Sequence, residues 1–339
     1  MKYSIVFLLI INFGYKVFSQ EITNVLAKRI NDGYVELKYD LTSSNKNDSL
    51  FFVELFLFQN DKLLFKIEDA TGDIGFNIKP TIANKIIWNP FTKKTDLLIE
   101  NSRFKLTAIP RKKEGMVLII GGSKKDSISN LVSEIKSFYA DTKEVSHSEF
   151  KNFVNEFGYK TDAETSGNVF IYVNGSFEKE EKYYWLYNTS LKKITTDDYQ
   201  NHPVSFVSYN DAKKYCEWKK KRLPTDLEWE VMASNCFEPK NLIQNPTENA
   251  WFDENSSKST HEVNSLNYNI NGMYHIYGNV SEWCSIDEAA SNSNQNSAPI
   301  RGGSYITSEK NVNINYRITS NPTYSYQDVG FRCVSNVIE

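Results

Sequence analysis

Between residues 21 and 112 apolar side chains recur at every second position. Val35, Leu37, Tyr39 and Leu41 alternate with other residues, and Phe51, Val53, Leu55 and Leu57 lie on a run that is apolar on both faces. Ile86–Trp88 and the trio Phe104, Leu106 and Ala108 add short runs of the same kind. A period of two predicts strands that lay one face on a core. Turn signals separate them at Asn31-Asp32-Gly33, Gln59-Asn60-Asp61 and Thr71-Gly72-Asp73. Past a polar hinge at Pro110-Arg111-Lys112-Lys113-Glu114-Gly115 the period changes. Phe150, Phe153, Val154 and Phe157 recur at helical spacing, which predicts a helix capped by Ser148 and stopped by Gly158. Asn210 is placed to cap a second helix carrying Ala212, Tyr215 and Cys216. Thr225-Asp226-Leu227-Glu228 reads as a capping box opening a third, with Trp229 and Met232 facing inward. The remainder is long and rich in Asn, Ser and Tyr, and residues 287–298 are low-complexity Ser and Asn, expected to form a mobile surface loop.

The two patterns divide the 339 residues into an all-β segment, 21–112, and a mixed segment, 114–337. The length of the first suits an immunoglobulin-like β-sandwich. Residues 1–20 form a third object. Lys2 gives a positive start, Ile5 to Phe13 is apolar apart from Asn12, and Ser19-Gln20 precedes Glu21. This is the layout of a secretory signal peptide, and the apolar run is shorter than the roughly 20 residues a membrane span requires. No later segment is apolar enough to span. The expected location is therefore outside the cytoplasm: periplasmic, cell-surface or secreted.

Composition sharpens this in two places. Aromatic residues make up 14% of the chain, with 20 Tyr and 21 Phe, which suits strands and loop-rich cores better than a helical bundle. Net charge is −3, and loss of residues 1–20, with Lys2 and Lys16, takes it to −5, which argues against nucleic acid as a partner. The four cysteines, Cys216, Cys236, Cys284 and Cys333, allow three pairings in an exported chain. None stands in a Cys-x-x-Cys pair, so zinc and thioredoxin-like chemistry gain no support.

The C-terminal segment carries an ordered series of motifs. Asn201-His202-Pro203-Val204 leads to Val207-Ser208-Tyr209-Asn210-Asp211-Ala212, then Tyr215-Cys216-Glu217-Trp218, Lys221-Arg222-Leu223-Pro224-Thr225 and Glu228-Trp229-Glu230. Asn249-Ala250-Trp251, Asn271-Gly272-Met273-Tyr274 and Gly278-Asn279-Val280-Ser281-Glu282-Trp283 follow. Arg301-Gly302-Gly303-Ser304-Tyr305 and Gly330-Phe331-Arg332-Cys333 close the series. Over about 114–337 this order resembles the formylglycine-generating enzyme (sulfatase-modifying factor) family. The segment Gly72-Asp73-Ile74-Gly75 through Trp88-Asn89 looks like a small β-domain that precedes enzyme-like domains in exported proteins of Bacteroidetes-type bacteria.

The family resemblance implies an α+β fold for 114–337, related to the C-type lectin fold, behind the N-terminal β-sandwich. It also implies a chemistry that oxidises a sulfatase cysteine to formylglycine with copper and oxygen, using two cysteines just after Gly-Gly-Ser. An ungapped match puts Thr307 and Val312 at those two positions, and no Cys occurs between 285 and 332. The basic pair that follows the first becomes Ser308 and Glu309, and a Trp expected in the Gly-Asn-x-Trp-Glu-Trp motif becomes Ser281. Ser304 is retained. A hydroxyl and an isopropyl group cannot hold Cu(I) as thiolates do, so copper is not expected here.

Calcium is the cofactor the resemblance favours, in a structural role. Asn249, the Ala250 carbonyl, Asn255 and Ser257 would form one site. The Gly278 and Val280 carbonyls with the Glu282 carboxylate would form a second, where His275 replaces an expected Asn or Asp. The resemblance also pairs Cys216 with Cys333, leaving Cys236 and Cys284 for a second bridge. The resulting expectation is an exported, non-catalytic binding or scaffold protein whose partner is a protein or a cell-surface glycan. The competing expectations are a metal-dependent oxidoreductase with relocated ligands, and a carbohydrate-binding surface protein using aromatics such as Tyr324 and Tyr326.

Overall fold

The computed structural model describes residues 20–30, 33–44, 50–90, 102–126, 132–195, 197–234, 249–268, 272–285 and 297–337. The expected signal peptide, the Asn31-Asp32 part of one turn, and residues 287–296 of the expected loop lie outside these. The chain divides into two compact units, Met1–Glu114 and Gly115–Val337.

The first unit follows its alternation. Strand Val35–Ser43 pairs antiparallel with Gln20–Arg29 on one edge and with Asn84–Trp88 on the other. Strand Phe51–Gln59 pairs over its whole length with Ser102–Pro110, and its other edge takes Lys62–Ile67 and Gly75–Ile78. Val35, Leu37, Tyr39 and Leu41 from one sheet and Phe51, Val53, Leu55 and Leu57 from the other meet in one buried cluster. Asn60 and Asp61 take φ of 49° and 63°, the left-handed pair that a tight hairpin needs, and so join Phe51–Gln59 to Lys62–Ile67. Gly72 is required where it stands: a Cβ there would lie 2.3 Å from the Lys85 carbonyl oxygen.

The second unit is rich in short strands, with four helices among its described residues. They are α1 (His147–Phe157), α2 (Asp162–Ser166), α3 (Tyr209–Trp218) and α4 (Asp226–Ser234). Helix α1 buries Phe150 and Phe153, and Gly158 ends it at φ 63°. Phe157, expected on the inner face, is 70% exposed. The cap is Ser146, not Ser148: its hydroxyl accepts from the Glu149 N–H while the Glu149 carboxylate accepts from the Ser146 N–H. Ser208 with Asp211 likewise caps α3 in place of Asn210. In both cases the true cap is the residue whose side chain can exchange bonds with an acid three positions on. The box expected at Thr225 and Glu228 is present.

Two sheets organise the unit. Met116–Ile119, Phe138–Asp141 and Val334–Asn336 pair antiparallel. Arg317–Ser320, Ala298–Arg301, Ser281–Trp283 and Val329–Gly330 lie side by side in that order, the last pair parallel. Trp283 is fully buried and its indole N–H donates to the Val207 carbonyl at 3.0 Å, so a large apolar body is buried without an orphaned donor. No helix among the described residues is long and apolar enough to cross a membrane.

Candidate functional site

Strand Ala298–Arg301 ends in a turn that only glycine forms easily: Gly302 and Gly303 have φ of 91° and 76°. A Cβ on Gly303 would lie 3.1 Å from Thr307 Cγ2 and 3.3 Å from Val312 Cγ2. The two positions assigned to the family's cysteines therefore converge on the same backbone atom. The Thr307 N–H donates to the Ser304 carbonyl at 3.0 Å, and the short 3-10 turn Glu309–Asn311 returns the chain so that Val312 faces Gly303. The meeting place is kept and the sulfur is not. The Thr307 hydroxyl accepts from the Ser304 N–H at 2.9 Å, a neutral bond with no affinity for a soft metal.

Behind this turn lies a buried polar cluster whose acid, Asp328, the motif series did not single out. Ser304 Oγ donates to Asp328 Oδ2 at 2.7 Å and lies 3.3 Å from Thr307 Oγ1. The Tyr316 hydroxyl interacts with the side chains of Thr307 and Ser281. Asp328 is 5% exposed, and burial pushes its carboxyl up to about 6, against the smaller opposing effects of the Ser304 hydroxyl and its own N–H. The same carboxylate, after burial, raises the Tyr305 phenol. Asp328 Oδ1 and Tyr305 Oη are buried without a hydrogen-bond partner. The sequence signal was the acid two residues before the Gly330-Phe331-Arg332-Cys333 motif.

Three of the groups expected to hold calcium, the Ala250 carbonyl, Asn255 and Glu282, are already paired with N–H donors. Asn255 Nδ2 donates to the Ala250 carbonyl at 2.9 Å, and Asn255 Oδ1 accepts from the Phe252 N–H at 2.7 Å. Asn249 is exposed, and Ser257 sits in a left-handed conformation at φ 56°. The donors of this set carry no charge, which is a poor match for a hard divalent ion. In the second set, Glu282 is buried and its carboxylate is held by Arg332 Nε at 2.8 and 2.9 Å, by Arg332 Nη2 at 2.7 Å and by Trp229 Nε1 at 3.0 Å. His275 turns its Nδ1 toward Glu144 at 3.3 Å, away from the role of an oxygen ligand. The guanidinium stands where the Glu282 carboxylate would otherwise need a cation. Among the described residues no group of three or more His, Cys, Asp or Glu side chains is placed to hold a metal ion.

Cys216, on α3, and Cys333 face each other at 2.7 Å between sulfurs, both fully buried. Cys284 is also fully buried, and its thiol lies 3.8 Å from the Glu282 carbonyl. Cys236, its expected partner, lies outside the described residues.

The chain is similar to known proteins over the same segment. The sulfatase-modifying factor enzyme 1-like domain family matches residues 104–337. The chain is 30% identical to the formylglycine-generating enzyme of Mus musculus over 60% of its own length and 67% of that protein. It is equally identical, at 30%, to the formylglycine-generating enzyme of Thermomonospora curvata, over 60% of this chain and 83% of the other. It is 28% identical to the inactive C-alpha-formylglycine-generating enzyme 2 of Bos taurus, over 59% and 78% of the two chains. Among solved structures it is similar to PvdO from Pseudomonas aeruginosa, with a TM-score of 0.49 and 19% identity over 66% of this chain and 94% of that one. With the Gly-Gly-Ser turn, the two converging positions behind it and a match over most of its length, the chain belongs to the sulfatase-modifying factor enzyme 1-like family.

Proposed function

We propose that this chain is an exported, non-catalytic binding or scaffold protein, with an immunoglobulin-like sandwich leading a sulfatase-modifying-factor domain of C-type-lectin-related architecture. The observation that carries this reading is the convergence of Thr307 and Val312 at Gly303, where the oxidation would require two thiolates. Similarity to proteins named as inactive members supports it. The signal-peptide layout of residues 1–20 supports a destination in the periplasm, at the cell surface or in the medium. There Cys216 and Cys333 would form the disulfide for which their sulfurs are placed. The direct test gives the purified chain a sulfatase-type cysteine peptide, oxygen and copper, then iron, and looks for formylglycine or sulfoxide by mass spectrometry. Turnover above the metal-only control would sink the reading and restore the relocated-ligand oxidoreductase.

One observation favours a glycan over a protein as the partner. The Phe170 ring lies 4.9 Å from that of Tyr324 and stacks on that of Tyr326 at 5.1 Å, and Phe177 lies 5.4 Å from Tyr326 on the same small sheet. Phe177 and the neighbouring Tyr172 are 40% and 38% exposed. Exposed ring faces with phenol hydroxyls suit sugar rings. Retention on a glycan array, lost on Tyr324→Ala, would favour this partner; an empty array would favour a protein.

A further inference from the structure

Asp328 poses a charge problem that the protein alone does not solve. Its carboxylate is buried between the parallel strands Ser281–Trp283 and Val329–Gly330 and the Gly-Gly-Ser turn, with the Ser281 N–H bonded to its carbonyl at 2.9 Å. Among the described residues no Lys, Arg or His acts on it, only the Ser304 hydroxyl and its own N–H. Glu282 has Arg332 and Glu230 has Arg301, and buried Asp211, which has no cation, has both of its oxygens bonded, Oδ1 by the Tyr159 hydroxyl and the Asp162 N–H and Oδ2 by the Ser208 N–H. A buried charge is ordinarily paired, and a buried polar atom is ordinarily bonded. Here Asp328 Oδ1 and Tyr305 Oη are both buried without a partner, and they belong to one neighbourhood, since the Asp328 charge acts on the Tyr305 phenol.

We infer that this cluster is a binding site for a primary ammonium group, held by Asp328 Oδ1 and Tyr305 Oη beside the hydroxyls of Ser281, Ser304 and Thr307. The proposal rests on reading the domain as a binding protein and names the chemistry it would bind. A single carboxylate neutralises one positive charge, which disfavours a divalent ion. Oxygen acceptors fixed on several elements match the directed N–H donors of an ammonium group better than the close oxygen shell of a bare metal ion. Tyr316 is half-buried and interacts with Thr307 and Ser281, so it links the cluster to the surface. The ammonium group could belong to a free small amine or to a lysine of a partner protein. The chemistry recognised is the same.

The test is thermal unfolding of the full chain at pH 7.5 and fixed ionic strength. The probes are methylammonium, potassium and tetramethylammonium chlorides and a capped Gly-Lys-Gly peptide. Methylammonium at ten times its dissociation constant is expected to raise the unfolding midpoint of the second unit by about 3–5 °C, saturably. Tetramethylammonium, which has no N–H, and potassium are expected to have no such effect, and Asp328→Asn is expected to abolish the methylammonium shift. An equal shift with the peptide makes the source a partner lysine, and a shift with methylammonium alone makes it a free amine. No saturable shift, an equal shift with potassium, or an unchanged shift in Asp328→Asn would overturn the site and leave a buried water as its occupant. Should Asp328→Asn not fold, Tyr305→Phe is expected to weaken methylammonium binding by about tenfold or more, and unchanged affinity there is equally fatal. The peptide-oxidation assay is read separately: turnover would sink the non-catalytic reading without moving these midpoints, and absent midpoint shifts would sink the site without implying turnover.

Discussion

The Asp328→Asn variant is expected to be more stable than the native chain at pH 7.5 and about equally stable at pH 4. The carboxyl ordinarily titrates near 3.8, and burial in the folded chain pushes it up to about 6. The folded state therefore holds this proton more tightly than the unfolded state. Its contribution is fully present below the unfolded value and is lost as pH rises through the folded one, so stability falls between about pH 4 and pH 6. A rise of about two units corresponds to about 3 kcal/mol withheld from the fold at pH 7.5. Asn removes that charge, keeps an oxygen for the Ser304 hydroxyl, and offers an N–H toward the unpaired Tyr305 Oη. Paired urea titrations of native and variant chains at the two pH values measure the difference, with an expected gain of about 2–3 kcal/mol at pH 7.5 only. A gain of the same size at both pH values would mean that shape, not ionisation, decides. A loss at pH 7.5 would mean that the charge is already compensated, and would refute the reasoning about its burial.

Other perturbations address the rest of the unit. Arg332→Met leaves Glu282 buried without its guanidinium and should cost about 3–5 kcal/mol by denaturation, most of it recovered when Glu282→Leu is added. Thr307→Cys with Val312→Cys should bind Cu(I) one to one in competition with a colorimetric chelator, and a folded double variant that cannot compete would show that the two positions do not converge as Gly303 implies. Excess EGTA should move the unfolding midpoint by less than about 1 °C, because N–H donors already close the groups at Ala250, Asn255 and Glu282; a larger fall reversed by calcium would contradict that closure. Protein matured under oxidising conditions should have an intact mass at least two hydrogens below the fully reduced form, with Cys216 and Cys333 in one linked peptide. Cys216→Ala should then cost about 2–5 kcal/mol.

The strands of the first unit were legible because each places one face on the core, so burial imprints a period of two on Val35 to Leu41 and Phe51 to Leu57. The capping box at Thr225 was legible because Glu228 stands three residues on. The boxes at Ser146 and Ser208 carry the same signal, but a polar residue nearer the apolar run, Ser148 or Asn210, drew the boundary inward. The loss of both cysteines could be read directly, since a motif carries its positions with it. The Asp328 cluster could not. Its members come from a strand end, a glycine turn and the loop before a second strand, and Ser304 and Asp328 are 24 positions apart. No local period records a neighbourhood made by parallel pairing of distant strands. The same holds for Arg332 and Glu282, 50 positions apart, although the acid's need for a nearby base was foreseeable from its setting.

The pairing of Val334–Asn336 with Phe138–Asp141 bears on how the protein is made. A ribosome delivers these strands nearly two hundred residues apart, so the second unit cannot close its first sheet until almost its last residues have emerged. The Cys216–Cys333 contact and the Arg332–Glu282 pair wait for the same moment. The first unit, whose strands all lie within the opening third of the chain, can fold while the second is still being synthesised. Biogenesis is therefore expected in two stages, early folding of the first unit and a late, slow closure of the second. During the interval, exposed apolar surface on the unfinished domain makes it a client for chaperones.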